Sequence, residues 1–160
     1  IGPIEAGVKE AMESGVLAGF PVVGVKATVT DGQMHPVDSS EMAFKTAANL
    51  AYKAGIPQAS PVLLEPIGML SVYVPGDSTG DIMGDINKRR GRVLGMNPAD
   101  DGLTCVEAEV PMAEMGDYST MLRAQTQGRG YFRFRFERYE EAPMNVAQKV
   151  IEQYKEAEEE

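Results

Sequence analysis

One histidine and one cysteine limit the chemistry open to this chain. A structural zinc site takes four Cys or His ligands, so His35 and Cys105 exclude a site of that kind. No stretch matches G-x-x-x-x-G-K-[ST], so there is no P-loop to cradle nucleotide phosphates. His35, Asp38 and Ser39 stand close together and could be read as hydrolase machinery. Asp38 and Glu41, however, have capping-box-like spacing, and Ser39 or Ser40 would share the cap. No third partner or oxyanion donor accompanies them. The expectation is no catalytic residue, no metal and no cofactor within these residues. His35 instead falls on a short loop between a strand end and a helix start, where a rigid scaffold presents binding residues.

Two further groups could contact a partner. Lys88-Arg89-Arg90-Gly91-Arg92 puts four cations into five residues at a helix end. Compensation of the helix dipole explains some of that charge, and phosphate contact would explain the rest; both readings stand. Further on, Gly128-Arg129-Gly130 leads into Tyr131-Phe132-Arg133-Phe134-Arg135-Phe136. Strand alternation puts Phe132, Phe134 and Phe136 on one face, predicted buried. Tyr131, Arg133 and Arg135 then face away from the core, toward a partner. The run superficially echoes an RNA-recognition signature, but that signature belongs on a third strand and this is the fourth.

The elements that must carry these residues can be read from periodicity. Pro3 to Ser14 reads as a helix with Ile4, Val8, Ala11 and Met12 on one face, ended by Gly15. Val22 to Thr30 reads as a strand with Val23, Val25, Ala27 and Val29 alternating, and Asp31-Gly32 as a turn. A helix follows to about Lys53, with Ala43, Ala47, Leu50 and Ala51 predicted inward. Gly55-Ile56-Pro57 and Pro61 mark a linker. Beyond it come a strand (63–74), a helix (78–88), strands (91–96 and 103–110), a helix (113–126) and a strand (131–139). That β-α-β-β-α-β order is the ferredoxin-like, split βαβ pattern. A last helix, 144 to about 156, carries Val146, Val150 and Tyr154. The fold class is α+β, divided as 1–60, 61–142 and a C-terminal helix with acidic tail, 143–160.

Bulk composition agrees with a globular chain. Of 160 residues, 43% are hydrophobic, enough for a core. No apolar run approaches the roughly 20 residues of a membrane helix, so no membrane partner is expected. The net charge of -9 argues against a general nucleic-acid coat, which would be basic, yet leaves room for local basic patches. The lone Cys105 suits a reducing cytoplasm. No signal peptide is expected. The opening Ile1-Gly2-Pro3, without Met, reads as a fragment beginning mid-domain, and a monomer is expected.

At this point the residues resemble a known family. His35-x-Val37-Asp38-Ser39-Ser40-Glu41-Met42-Ala43-Phe44-Lys45 resembles the tip of the fourth domain of bacterial elongation factor G. Leu17-Ala18-Gly19-Phe20-Pro21-Val22-Val23 resembles the connection before that tip, and Pro61-Val62-Leu63-Leu64-Glu65-Pro66-Ile67 the junction into the fifth domain. The stretches 80–91 and 122–130 resemble the helix signatures of the fifth domain. The resemblance covers nearly the whole chain, in order. It implies the latter part of a ribosomal-protein-like α/β domain, then a ferredoxin-like domain. It implies a translation factor that promotes tRNA–mRNA translocation, with GTP and Mg bound by an N-terminal domain outside this chain. The partners implied are the ribosome's rRNA, its stalk-base region and the tRNA–mRNA duplex. Gln33, Met34, His35 and Pro36 would form the tip that meets the duplex. Lys88, Arg89, Arg90, Arg92 and Arg129 would be the rRNA-contacting candidates. A paralogue specialised in ribosome recycling, or a free-standing RNA-binding module, are the alternatives.

Overall fold

A computed structural model describes residues 1–36 and 40–160. The expected roles of Asp38 and Ser39 lie outside the described residues. The chain divides into two compact units: residues 1–63 together with 142–160, and residues 64–141.

The first unit is helical where it is regular. Helix α1 (Gly2–Met12) has Pro3 in its first turn, where the missing N–H removes no intrahelical bond. Helix α2 (Glu41–Gly55) starts at Ser40, whose hydroxyl accepts from the Ala43 N–H at 3.1 Å. The two helices pack through Gly7: a Cβ there would collide with the Lys45 carbonyl oxygen and stand 3.1 Å from the Ala48 Cβ. Lys45 also reaches Glu10 at 2.8 Å. Helix α5 (Met144–Glu159) turns Val146, Ala147, Val150, Ile151 and Tyr154 partly inward. The Tyr154 ring covers Gly19, whose φ of +70° suits glycine.

Two expectations for this unit are corrected. Residues 22–30 form no strand, and Val23, Val25 and Val29 are exposed. Alternating β-branched residues make a strand only when a neighbour supplies backbone partners, and among the described residues this unit contains no strand to pair with. In α2 the covered face is shifted: Tyr52 is buried and Phe44 and Ala48 are partly so, while Leu50, Ala47 and Ala51 are exposed. Period alone gives the width of an apolar stripe but not which side of it meets a neighbour.

The second unit is the ferredoxin-like sandwich. Its strands β1 (Leu64–Pro75), β2 (Arg92–Pro98), β3 (Leu103–Pro111) and β4 (Tyr131–Glu141) form one sheet in the order β2-β3-β1-β4, with every adjacent pair antiparallel. Helices α3 (Thr79–Lys88) and α4 (Tyr118–Thr126) supply the two crossovers. Residues on alternate positions of the central strands, Leu70, Val72 and Val74 of β1 and Val106, Ala108 and Val110 of β3, are buried against Ile82 and Ile86 of α3 and Tyr118 and Leu122 of α4. Regular helix begins at Tyr118 rather than near Ala113, because residues 112–114 form a separate 3-10 turn.

Phe132 and Phe134 pack against this core as expected, and Phe134 lies over Gly68, where a Cβ would collide with its ring. Phe136 does not: it is 51% exposed. It sits on the edge strand, next to a bulge that shifts register between Ile67 and Gly68 of β1, and its ring meets Tyr139 at 5.1 Å instead. The bulge also carries Arg138 onto the opposite face of the sheet, where it reaches Glu109.

Candidate functional site

In the first unit the sequence from Pro21 to Pro36 runs without helix or strand, ending in Gln33, Met34, His35 and Pro36, all exposed. Met34 is 74% exposed, an apolar side chain held in water. Asp31 turns the chain just before them, its Oδ1 accepting from the Gly32 N–H at 2.7 Å. Helix α2 begins at Glu41, capped by Ser40. The four residues therefore lie between a turn and a capped helix start, and among them are one imidazole and one side-chain amide.

In the second unit the basic run divides by role. Helix α3 ends at Lys88 with Arg89 as its C-cap, and the chain reverses through Arg90 at φ +59°, with the Gly91 N–H donating to the Ile86 carbonyl at 2.9 Å. Arg89 is 8% exposed. Its Nε donates to Asp85 at 2.7 Å, one terminal nitrogen donates to Asp117 Oδ1 and to the Glu114 carbonyl, each at 2.6 Å, and its guanidinium stands 5.0 Å from the Tyr118 ring centroid. Hydrogen bonding from Arg89, with its charge, holds the Asp117 carboxyl below the usual range. Arg90 makes a bidentate pair with Glu65 at 2.9 Å and 2.9 Å and a further bond to Glu114 at 3.1 Å. Both guanidinia are thus spent inside the domain, meeting at Glu114. Lys88 is exposed, and the Arg92 side chain is 72% exposed beside Glu109. The phosphate-contact candidates that face solvent are therefore Lys88, Arg92 and Arg129.

Arg129 owes its position to the end of α4. Gln127 and Gly128 take left-handed conformations, and buried Thr126 donates to the Leu122 carbonyl at 2.7 Å while accepting from the Gly130 N–H at 2.9 Å. A Cβ at Gly130 would stand 3.0 Å from Thr126 and 3.1 Å from Val74. Exposed Arg129 is held by one bond from its Nε to the Thr126 carbonyl at 3.2 Å.

Sequence reasoning did not find the acidic partners. Asp85 is four residues before Arg89 and could have been read as an i,i+4 pair, but Glu65, Glu114 and Asp117 meet the arginines only through tertiary folding. Glu109 was missed likewise. Hydrogen bonds from Arg138, opposed by burial and helped by Arg92, hold its carboxyl down at about 2. Among the described residues no group of three or more His, Cys, Asp or Glu is arranged to hold a metal, and no helix is long and apolar enough to cross a membrane.

A ferredoxin-like sandwich following a helical unit with an exposed loop is the architecture of the last two domains of a translation elongation factor. The family description "Elongation factor G, domain IV" matches residues 1–60, and "Elongation factor G C-terminus" matches residues 62–150. A protein described as "Elongation factor G-like protein" from Thermotoga maritima is 51% identical over 150 residues, which cover 94% of this chain and 22% of that protein. A crystal structure of a protein from Thermus thermophilus superposes with a TM-score of 0.87 at 46% identity, covering 97% of this chain and 23% of the other. The chain belongs to the elongation factor G family, and it spans less than a quarter of the length of these relatives.

Proposed function

We propose that this chain is the ribosome-contacting C-terminal part of a GTP-dependent translation factor that promotes tRNA–mRNA translocation. The observation that carries the reading is the match of both units, in order, to the fourth domain and the C-terminus of elongation factor G. Gln33, Met34, His35 and Pro36 meet the tRNA–mRNA duplex in the decoding site. Lys88, Arg92 and Arg129 meet rRNA at the stalk base, and Arg89 and Arg90 hold the corner from which Lys88 and Arg92 project. GTP and Mg2+ belong to an N-terminal part of the longer protein, which works in the cytoplasm as a monomer.

The physics of the task asks for no bond making in these domains. A tip that binds the advanced position of the duplex more tightly than the starting position shifts the balance between two ribosome states, by as much as the difference in affinity. An imidazole and an amide can supply such a difference through hydrogen bonds. The acidic body, at a net charge of -9, disfavours RNA contact elsewhere on the surface.

The test is single-round translocation by the full-length protein on pre-translocation ribosomes with GTP, read by toeprinting. A one-codon advance is expected, slowed at least about ten-fold by His35→Ala, which corresponds to about 1.4 kcal/mol of barrier. The description of the Thermotoga maritima relative as "Elongation factor G-like" is compatible with a second reading, that this chain belongs to a paralogue, and ribosome recycling is the task such a paralogue would carry. For that protein no mRNA advance would occur, while GTP turnover on ribosomes and subunit splitting would.

A further inference from the structure

The face of the four-stranded sheet opposite α3 and α4 carries features that core packing does not require. Tyr73 of β1 and Tyr131 of β4 are directly opposed in register, and their rings stack with centroids 4.6 Å apart and planes 10° from parallel. Tyr131 is 49% exposed. Along the same face of β4 follow Arg133 and Arg135, both exposed, opposite Ser71 and Met69 of β1. Arg135 has one distant carboxylate, Glu137 at 4.0 Å, and Arg133 forms no ion pair among the described residues. Glu107 and Glu109 of this face lie on β3, on the other side of β1, while on β4 itself Glu140 is bonded by Arg138. Glu109 of β3 is already bonded by Arg138 and Arg92, and Glu107 is on the same strand. Over residues 131–135 this face of β4 is therefore aromatic and cationic, while the rest of the face, Glu140 of β4 included, is neutralised or acidic.

We propose that this edge binds a single strand of RNA, with a base stacked on the exposed face of Tyr131 and phosphates beside Arg133 and Arg135. Stacking on an aromatic ring with arginines along the backbone is how single-stranded nucleic acid is held without sequence preference. The tyrosine pair preorganises the platform: Tyr73 backs the Tyr131 ring, so little rotamer freedom is lost when a base arrives. Successive residues on one face of a strand are about 7 Å apart, so the ring and the two guanidinia form a track rather than a single point. The inference deepens the ribosomal reading by adding an RNA-contacting face remote in sequence from His35, and it is tested without the ribosome, so either can fail alone.

The experiment is fluorescence anisotropy of the 160-residue chain with a fluorescein-labelled single-stranded RNA of about 12 nucleotides, and with a duplex of the same length. Binding at low salt is expected for the single strand and is weaker for the duplex. Tyr131→Ala should weaken it roughly ten-fold or more, and Tyr131→Phe, which keeps the ring, should not. The salt dependence of log Kd should flatten by about 0.7 for each of Arg133→Gln and Arg135→Gln. Tyr131→Phe also guards against misreading a folding defect, since it should bind and unfold like the parent. Absence of binding by the parent, equal binding by Tyr131→Ala, or loss only with Lys88→Gln and Arg129→Gln would each overturn the proposal.

Discussion

Lys88 and Arg89 are adjacent cations in one basic run, and the fold uses them in opposite ways. The Arg89 guanidinium is closed in by Asp85, Asp117, the Glu114 carbonyl and the Tyr118 ring, whereas the Lys88 ammonium is in water. Removing one partner of a buried ion pair leaves the other charge uncompensated, which costs about 3–5 kcal/mol. Asp117 is three-quarters exposed and can rehydrate, so Arg89→Ala is expected to cost about 3 kcal/mol, the lower end of that range. Arg89→Lys should recover little of it, because one ammonium cannot replace a planar fork holding three acceptors. Lys88→Ala should stay within about 0.5 kcal/mol of the parent. Urea unfolding followed by circular dichroism checks all three, and equal losses for Arg89→Ala and Lys88→Ala would contradict this division. The sequence announces a basic cluster here but not its division, since three of the four acidic residues that engage Arg89 and Arg90 come from other elements.

At the scale of elements, what could be read in advance was whatever depends on near neighbours. All four strands of the sandwich and both of its helices follow from alternation, period and turn residues, because each packs at least one apolar residue against the core within residues 64–141. Residues 22–30 carry an equally good alternation and form no strand, since pairing belongs to two strands and no second strand is present among the described residues of that unit. Phe136 failed for a related reason: a bulge is a mismatch between two strands, invisible in one of them. The exposed tip at His35 could be placed from the turn before it and the helix after it, while the stacking of Tyr73 on Tyr131 needed the register. The turn from α3 into β2 gives a test at this scale. A Cβ at Gly91 would stand 2.6 Å from Ile86 Cγ2, 2.9 Å from the Ile86 carbonyl oxygen and 2.9 Å from Val110 Cγ2. Since one of these atoms is backbone and the others belong to buried residues, the contact cannot be relieved by swinging an exposed side chain. Gly91→Ala is therefore expected to destabilise by about 1–3 kcal/mol. Gly84→Ala, on helix α3 with open space around it, should be neutral or slightly stabilising. A thermal melt of the two variants beside the parent reads the difference, and a fall in Tm for both would point to helix α3 itself rather than to the turn.

On the scale of the whole chain, the C-terminal helix belongs with the segment farthest from it in sequence. Residues 142–160 join 1–63 in one unit, and the sandwich of residues 64–141 is inserted between the two parts. The link has a visible contact: the Tyr154 ring lies where a Cβ on Gly19 would be, 2.6 Å from its nearest carbon, and its hydroxyl donates to Glu158 one turn on at 2.8 Å. The sandwich needs none of this, because its core is drawn entirely from β1, β3, α3, α4 and the flanking strand residues. The two units should then lose structure separately. Removing residues 144–160 is expected to expose Gly19 and the neighbouring turn, and to lower amide protection in the stretch from Gly15 to Val22, where backbone bonds such as Gly15 N–H to the Phe20 carbonyl and Val22 N–H to the Met12 carbonyl close the turn. Protection in β1 and β3 should not change. Hydrogen exchange read by mass spectrometry on the parent and the truncated chain separates the outcomes. Loss confined to residues 15–22 supports independent units, whereas a uniform loss that includes β1 and β3 would mean that the chain unfolds as a single cooperative body.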